Sequence, residues 1–353
     1  MKDLTQILNQ LKDDLSLNQI QIGPLSTPLT ISFYEQWLAK NYHAEMTYLQ
    51  SHSETKKRPQ ILNENLKSVI SVAQLYFPAV SPSEAEVSAR VAMYAKNQDY
   101  HFWLKKKLQA IITQLKFEFP DDEFLAYVDS GPVLERNWAF ENGLGWFGKN
   151  TCLIHPQQGS LFFIAEILTT LSAASELKLE PIPDFCGTCT RCLDICPTKA
   201  LVEPHILKSE LCISYLTIEA KTNPPLHLRA KMGDWFFGCD LCQTVCPWNE
   251  KVFRQKKIPP QQSTDTSSLL HLNPEEEKEL ISFFDFLLTS SNKKIARFFQ
   301  GSALLRSGGN GLKRNALIVI ANRKLLPLRA QVEKQTTNPK LAELATWCLQ
   351  QLN

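Results

Sequence analysis

Eight of the ten cysteines of this 353-residue chain fall between Cys186 and Cys246. The first run is Cys186-x2-Cys189-x2-Cys192-x3-Cys196-Pro197, and the second is Cys239-x2-Cys242-x3-Cys246-Pro247. Any fold of this chain must bring these thiols into a small volume. The chain opens MKDLTQILNQLKDD, without the apolar core of an export signal, so tight spacing of this kind favours metal or redox chemistry over disulfides. The first run has the bacterial ferredoxin spacing, in which the fourth cysteine serves the other cluster. Three thiolates on one tight loop can surround a corner of a cubane, while the fourth, at the start of a helix, points away. The second run is one cysteine short, and Cys212 can supply it. The count then closes on two 4Fe-4S clusters with crossed ligation: Cys186, Cys189, Cys192 and Cys246 for one, and Cys239, Cys242, Cys212 and Cys196 for the other. Two zinc sites would also take four thiolates each; the Cys-Pro that ends both runs favours iron–sulfur. Cys152 and Cys348 are left over and are expected to be buried packing, Cys348 on an apolar helical face with Leu341, Leu344, Ala345, Leu349 and Leu352.

Around the cysteines the composition is that of a globular protein, with 44% hydrophobic and 21% charged residues. The longest apolar candidate, Leu161–Ala174, is interrupted by Glu166 and falls short of the roughly 18 residues of a membrane helix, so a cytoplasmic protein is expected. Ser32–Gln50 and Tyr100–Phe117 read as helices; Ser68–Phe77, Phe124–Asp129, Thr151–Ile154 and Leu161–Leu168 read as strands. This predicts an α/β (α+β) domain over 1–175, a cysteine-rich unit over 176–257, a polar linker around 258–268, and a helical unit over 270–353. In the last unit, Asn310–Asn322 and Asn338–Leu352 fit two antiparallel helices like one HEAT-type repeat. Residues 291–353 carry eleven Lys/Arg against two Glu, a net +9, which against +2 for the chain leaves −7 elsewhere. A basic tail on an acidic body suggests a polyanionic partner, or a merely solvated surface.

In the first domain the informative stretches are Asp129–Arg136 (DSGPVLER) and Gly143–Asn150 (GLGWFGKN). A strand ending at Asp129 followed by a Gly-Pro turn presents a carboxylate at a sheet edge; a simple helix cap is the alternative. The three glycines of the second stretch allow close backbone approach to a ligand. They do not form a dinucleotide fingerprint, because they do not open a helix after a first strand.

Together with DYH (99–101), CGTCTRCLDICPTKAL (186–201), CISYLTIE (212–219) and FGCDLCQTVCPWN (237–249), these stretches make the sequence resemble the epoxyqueuosine reductases, cobalamin-dependent iron–sulfur enzymes of tRNA queuosine biosynthesis. The resemblance implies a cobalamin-binding domain of nitroreductase-like type, a ferredoxin-like module with two 4Fe-4S clusters, and a HEAT-like tail. It implies reduction of the epoxide of epoxyqueuosine at the wobble position (34) of tRNA, the last step of queuosine formation, by a monomer fed by a donor such as ferredoxin or flavodoxin. The proton-donating aspartate falls on Asp129. Tyr100, His101, Arg136, Lys149, Asn150, Gly238, Asp240 and Gln243 fall at cofactor positions, and Thr217 and Glu219 at substrate positions. Leu104 occupies the glycine position of a DxHxxG motif, so His101 is expected to be a pocket residue, not a cobalt ligand. Lys313, Arg314, Arg323 and Lys324 bracket one predicted tail helix and are expected to meet tRNA phosphates. Rival readings are a cobalamin reductase of a small molecule, as in reductive dehalogenases, and a non-catalytic electron carrier.

Overall fold

The structure is a computed structural model that describes residues 4–76, 87–172, 180–255 and 272–353. The expected linker around 258–268 and the boundary near 175 lie outside these residues. No helix among the described residues is long and apolar enough to cross a membrane.

Alternating apolar residues make Ser68–Leu75 and Phe162–Thr169 the middle of a four-stranded sheet, with Gln19–Pro24 and Phe124–Tyr127 at its edges. All three pairings are antiparallel. Every residue of Ser68–Leu75 is buried, so both sheet faces must be covered. Ile70, Val72, Ala165 and Ile167 pack on one side against the helices Leu4–Asp14 and Tyr100–Glu118. Val69 and Leu168 pack on the other side against Trp138 of the helix Glu135–Glu141. The result is helix, sheet, helix. The one ionisable residue in the middle strands, Glu166, is fully buried and accepts the Ser71 hydroxyl at 2.7 Å; burial pushes its carboxyl well above the ordinary range.

The helix Tyr100–Glu118 keeps Leu104, Leu108, Ile111 and Leu115 on one buried stripe and is capped by Asp99, whose side chain accepts the His101 N–H. The helix expected over Ser32–Gln50 breaks instead after Ala39 and resumes only at Thr47. Tertiary contacts claim the break: the Tyr42 carbonyl accepts Ser209 N–H, and the Tyr215 hydroxyl accepts Glu45 N–H.

The cysteine-rich unit is a set of loops and short helices, Arg191–Ile195, Ile213–Ile218, Leu241–Thr244 and Pro247–Gln255. Pro247 opens the last of them, where a missing N–H costs nothing. The tail helices include Pro274–Thr289, Gly308–Arg323 and Ala342–Gln351. All residues from Leu312 to Ala321 are buried, so Gly308–Arg323 is the central helix. Its core is continuous with that of the cysteine unit: Phe236 lies against Phe283 and Phe284, and Trp235–Phe237 pairs in parallel with Arg90–Val91.

Candidate active site and cluster-binding loops

Two cap-like segments meet at one end of the sheet. The first is Asp99-Tyr100-His101 at the start of its helix; the second is the turn that follows Phe124–Tyr127. Asp129 adopts φ +57, a conformation that side-chain-bearing residues rarely take. At Gly131 a Cβ would come within 2.5 Å of the Tyr127 ring, which explains the glycine. The turn aims Asp129 into a mouth that protein surrounds on most sides but solvent still reaches, and its side chain is 65% exposed. The Tyr100 hydroxyl donates to Asp129 Oδ2 at 2.7 Å. The Tyr100 ring is stacked between Phe163 at 4.1 Å and His101 at 4.3 Å. His101 Nδ1 lies 2.7 Å from Asp99 and its Nε2 lies 3.6 Å from Asp129.

The electrostatics follow from this geometry. Enclosure by protein works to raise the Asp129 carboxyl, but the His101 and Tyr100 contacts and the charges of His101 and Arg306 hold it below the ordinary carboxylate value. Asp129, then Asp99, lift His101 to about 9 against its desolvation. At neutral pH the movable proton therefore rests on His101, and both of its ring nitrogens face carboxylates. Glu135, at the start of the next helix, is raised to about 8, chiefly by burial and also by Asp129. Its Oε1 is buried without a hydrogen-bond partner. Sequence reasoning passed over Glu135 although it stands within DSGPVLER.

Two of the three glycines of GLGWFGKN are fixed by packing, and the third, Gly143, takes φ +71. A Cβ at Gly145 or Gly148 would meet Ile154 at 2.5 or 2.4 Å. The polar end of the loop instead reaches the cysteines. Lys149 donates to the carbonyls of Gly187 and Cys189 at 2.6 and 3.0 Å, and Asn150 to that of Cys242 at 3.1 Å. Arg136 donates to the Thr151 carbonyl at 2.6 Å.

The thiols fall into the two expected sets. Cys186, Cys189, Cys192 and Cys246 line a cavity of about 250 Å³ together with Phe185 and Trp248. Burial, with Cys186, Cys246 and Cys189 as neighbours, raises Cys192 to about 11. Burial, with Cys212, Asp240 and Cys196, raises Cys239, and burial, then Cys152, with Cys239, Cys212 and Cys196, raises Cys242. Four thiols around one cavity match the four cysteine ligands that a 4Fe-4S cluster takes. Cys348 is buried as expected, whereas Cys152 is only half-buried and lies within electrostatic reach of Cys192, Cys242 and Cys246; burial raises both thiols to about 12.

Several expected contact residues are turned inward. Thr217 is fully buried; its hydroxyl donates to the Ile213 carbonyl and accepts Gly238 N–H, so it is a joint and not a substrate contact. Asp240 accepts Met93 N–H at 2.6 Å, and Gln243 Oε1 accepts the Ser160 hydroxyl at 3.0 Å. Gly238 N–H and the Asp240 carboxylate are thereby engaged within the fold, while Gln243 is half-buried with its Oε1 engaged. The tail cations also need correction. Arg314 is buried and donates to the carbonyls of Ala220, Thr222 and Leu216. Lys313 is buried with its ammonium 3.5 Å from the Leu288 carbonyl, and Arg323 pairs with the buried Asp234 at 3.0 Å. Only Lys324 of the four is exposed. The helix that carries them is central, so its cations satisfy carbonyls and a carboxylate instead of RNA phosphates.

Glu219 is held differently. It accepts Arg306 Nε at 2.8 Å and Nη2 at 3.1 Å, while the Arg306 guanidinium lies 5.8 Å from the Tyr48 ring. Arg306 escaped sequence reasoning because no local motif surrounds it.

A family model described as epoxyqueuosine reductase QueG, DUF1730, matches residues 56–130. One described as a 4Fe-4S double cluster binding domain matches residues 185–249. The epoxyqueuosine reductase of Cyclobacterium marinum is 38% identical over 283 residues, covering 80% of this chain and 85% of the relative. That of Escherichia coli is 33% identical over 358 residues, covering 99% and 90%. Among solved structures, a Bacillus subtilis epoxyqueuosine reductase with its catalytic aspartate loop swung out of the active site superposes with a TM-score of 0.79 at 26% identity, covering 99% of this chain and 90% of that one. An epoxyqueuosine reductase with an epoxyqueuosine-modified tRNA-Tyr stem loop does so with 0.77 at 26%, with the same coverage. With a relative this similar over four-fifths of its length, the chain belongs to the epoxyqueuosine reductase family.

Proposed function

We propose that this protein reduces the epoxide of epoxyqueuosine at the wobble position (34) of tRNA to give queuosine, using cobalamin and two 4Fe-4S clusters. The observation that carries the reading is the Tyr100–Asp129–His101 proton site, on a chain of this family whose 143–150 loop holds segments of both cysteine runs. In this reading 1–175 is a nitroreductase-like cobalamin domain, 176–257 a ferredoxin-like module, and 270–353 a HEAT-like tail. The enzyme works as a cytoplasmic monomer fed by a ferredoxin or flavodoxin.

A cobalamin bound at this mouth would lie beside Tyr100, His101 and Asp129, with His101 facing it as a charged hydrogen-bond donor. His101 is an imidazolium between two carboxylates at neutral pH and has no lone pair to give. The cysteine sets fit cubanes, with Cys186, Cys189, Cys192 and Cys246 around one and Cys196, Cys212, Cys239 and Cys242 around the other. Bound at the mouth, cobalamin would supply the two electrons of the reaction, with the clusters as their source. The chain supplies proton control. Asp129 is the group that reaches the substrate oxygen, and His101 is the store from which its proton comes. Tyr100 fixes the carboxylate in line. The oxygen departs as water, which takes two protons with the two electrons. The first passes through Asp129 as the ring opens, so no bare alkoxide forms. The second follows the same route once solvent has refilled His101, so that the hydroxyl leaves as water. Glu135, protonated below about 8, is a second acid within electrostatic reach of Asp129.

The test uses protein reconstituted with iron, sulfide and cobalamin, a chemical reductant, and an epoxyqueuosine-modified tRNA stem loop. Mass spectrometry of the digested nucleosides should show the loss of one oxygen at the modified base. An unchanged nucleoside, with clusters and cobalamin present by their spectra, would overturn the reading.

A further inference from the structure

The helical tail reaches the proton site through one short segment. Gln98 and Ser302 form an antiparallel bridge, and Asp99 N–H donates to the Gly301 carbonyl at 2.8 Å. These are the residues immediately before Tyr100 and His101. The segment is pinned from below by Leu304, which is fully buried. On its far side the Ser307 hydroxyl donates to the Thr217 carbonyl at 2.8 Å. Between these anchors stands Arg306.

Its guanidinium is fixed in both position and plane. Nε and Nη2 form a two-point contact with Glu219, a residue only 19% exposed, and the cation lies against the Tyr48 ring. Three separate parts of the chain thus converge on one side chain: residues near 48, near 219 and near 306. Yet Arg306 remains 56% exposed and Tyr48 44% exposed. A surface arginine held this firmly, with an aromatic ring beside it, has given up its side-chain freedom before any ligand arrives. It also stands close enough to Asp129 for its charge to bear on that carboxylate. Unlike Arg314 and Lys313, it keeps an open face.

We propose that Arg306, oriented by Glu219 beside Tyr48, is a substrate-positioning residue that binds a backbone phosphate of the RNA nucleotide delivering its base to Asp129. A guanidinium plane suits a phosphate, and a ring beside it suits a base splayed out of its stack. Glu219 then acts through Arg306 and does not itself touch RNA. The inference rests on the proposed function for its substrate class.

The test compares parent holoenzyme with Arg306→Gln, Arg306→Lys and Glu219→Gln, each checked for equal iron and cobalamin content. Two quantities are read: stem-loop affinity by fluorescence anisotropy across a salt series, and KM and kcat separately. Arg306→Gln should raise KM about tenfold with kcat nearly unchanged. It should reduce the slope of log affinity against log salt by about 0.7, the loss of one phosphate contact on a single strand. Arg306→Lys should recover the slope but only part of the affinity. Glu219→Gln should weaken binding while keeping the parent slope, because the cation remains. A salt slope and KM equal to the parent's in Arg306→Gln would overturn the proposal. So would a fall in kcat alone, the signature of a strut between segments. Should the parent bind the stem loop but remove no oxygen, the proposed function fails while the slope comparison still decides the role of Arg306.

Discussion

The Tyr100 hydroxyl donates to Asp129 across 2.7 Å while the Asp129 backbone is held at φ +57. The pairing fixes a carboxylate that would otherwise swing with its turn. Asp129→Asn keeps the shape and the Tyr100 contact but cannot pass a proton. Single-turnover rates should fall about 10²–10⁴-fold, the usual range for loss of a general acid. Cluster and cobalamin spectra should match the parent. A parent-like rate would remove Asp129 from the chemistry.

His101 sets the alkaline side of the pH profile. Its folded value, about 9, lies above the ordinary histidine value of about 6.5. The store therefore stays full through neutral pH and empties as pH rises through 9, while the imidazolium's contribution to stability, whole below about 6.5, is lost between there and 9. Single-turnover rates in the parent should decline through pH 9. In His101→Gln that limb should disappear and the neutral-pH rate should already be low. An unmoved limb would assign it to another group.

These two residues show what sequence could and could not reveal. DYH and DSGP are short local motifs, so both ends of the pair were legible before any fold was known. So were the cysteine sets, because thiol spacing reports loop geometry directly. Three of the four sheet strands and the helix from Tyr100 were legible because apolar pattern and burial agree; the edge strand Gln19–Pro24 was not. The break after Ala39 was not, since Tyr42 and Glu45 are claimed by partners near 209–215. Nor was the fate of Lys313 and Arg314: a basic pair reads as surface in a one-dimensional count, and only packing reveals a central helix. Arg306 and its partners Glu219 and Tyr48 lie in three distant stretches, and no spacing rule joins them.

Crossed ligation makes a directional claim. Cys246→Ser should cost the cluster of the Cys186 loop, although its own run lies far along the chain, and should leave the set of Cys196, Cys212, Cys239 and Cys242 loaded. Iron analysis should give about eight irons in the parent, four per cluster, and clearly fewer in the variant, with Mössbauer spectra identifying one surviving cubane. Iron of about four in the parent would exclude the two-cluster arrangement.

Arg314 is a buried cation whose guanidinium is shared among the Leu216, Ala220 and Thr222 carbonyls. Arg314→Met fills similar volume but strands these acceptors. Each orphaned group costs about 1–3 kcal/mol, so a loss of about 3 kcal/mol should appear in urea unfolding followed by tail fluorescence. Lys324→Ala, by contrast, should leave stability within about 0.5 kcal/mol. At a temperature where both variants are folded, stem-loop affinity should not fall in Arg314→Met; a large fall would return this residue to the RNA surface.

The bridge between Gln98 and Ser302 has an implication for how such chains can change over time. A tail that merely tethered RNA could be exchanged, shortened or shed, as appended modules often are. Here the tail closes the backbone against the residue that caps the helix of Tyr100 and His101, and it shares a core with the cysteine unit. Cutting the chain after the cysteines would leave Phe236 and its neighbours without their covering and the Asp99 N–H without its acceptor. Shorter and longer descendants of this architecture are therefore expected to vary beyond the helix Ala342–Gln351, and to keep everything up to Gly308–Arg323 as one inherited piece.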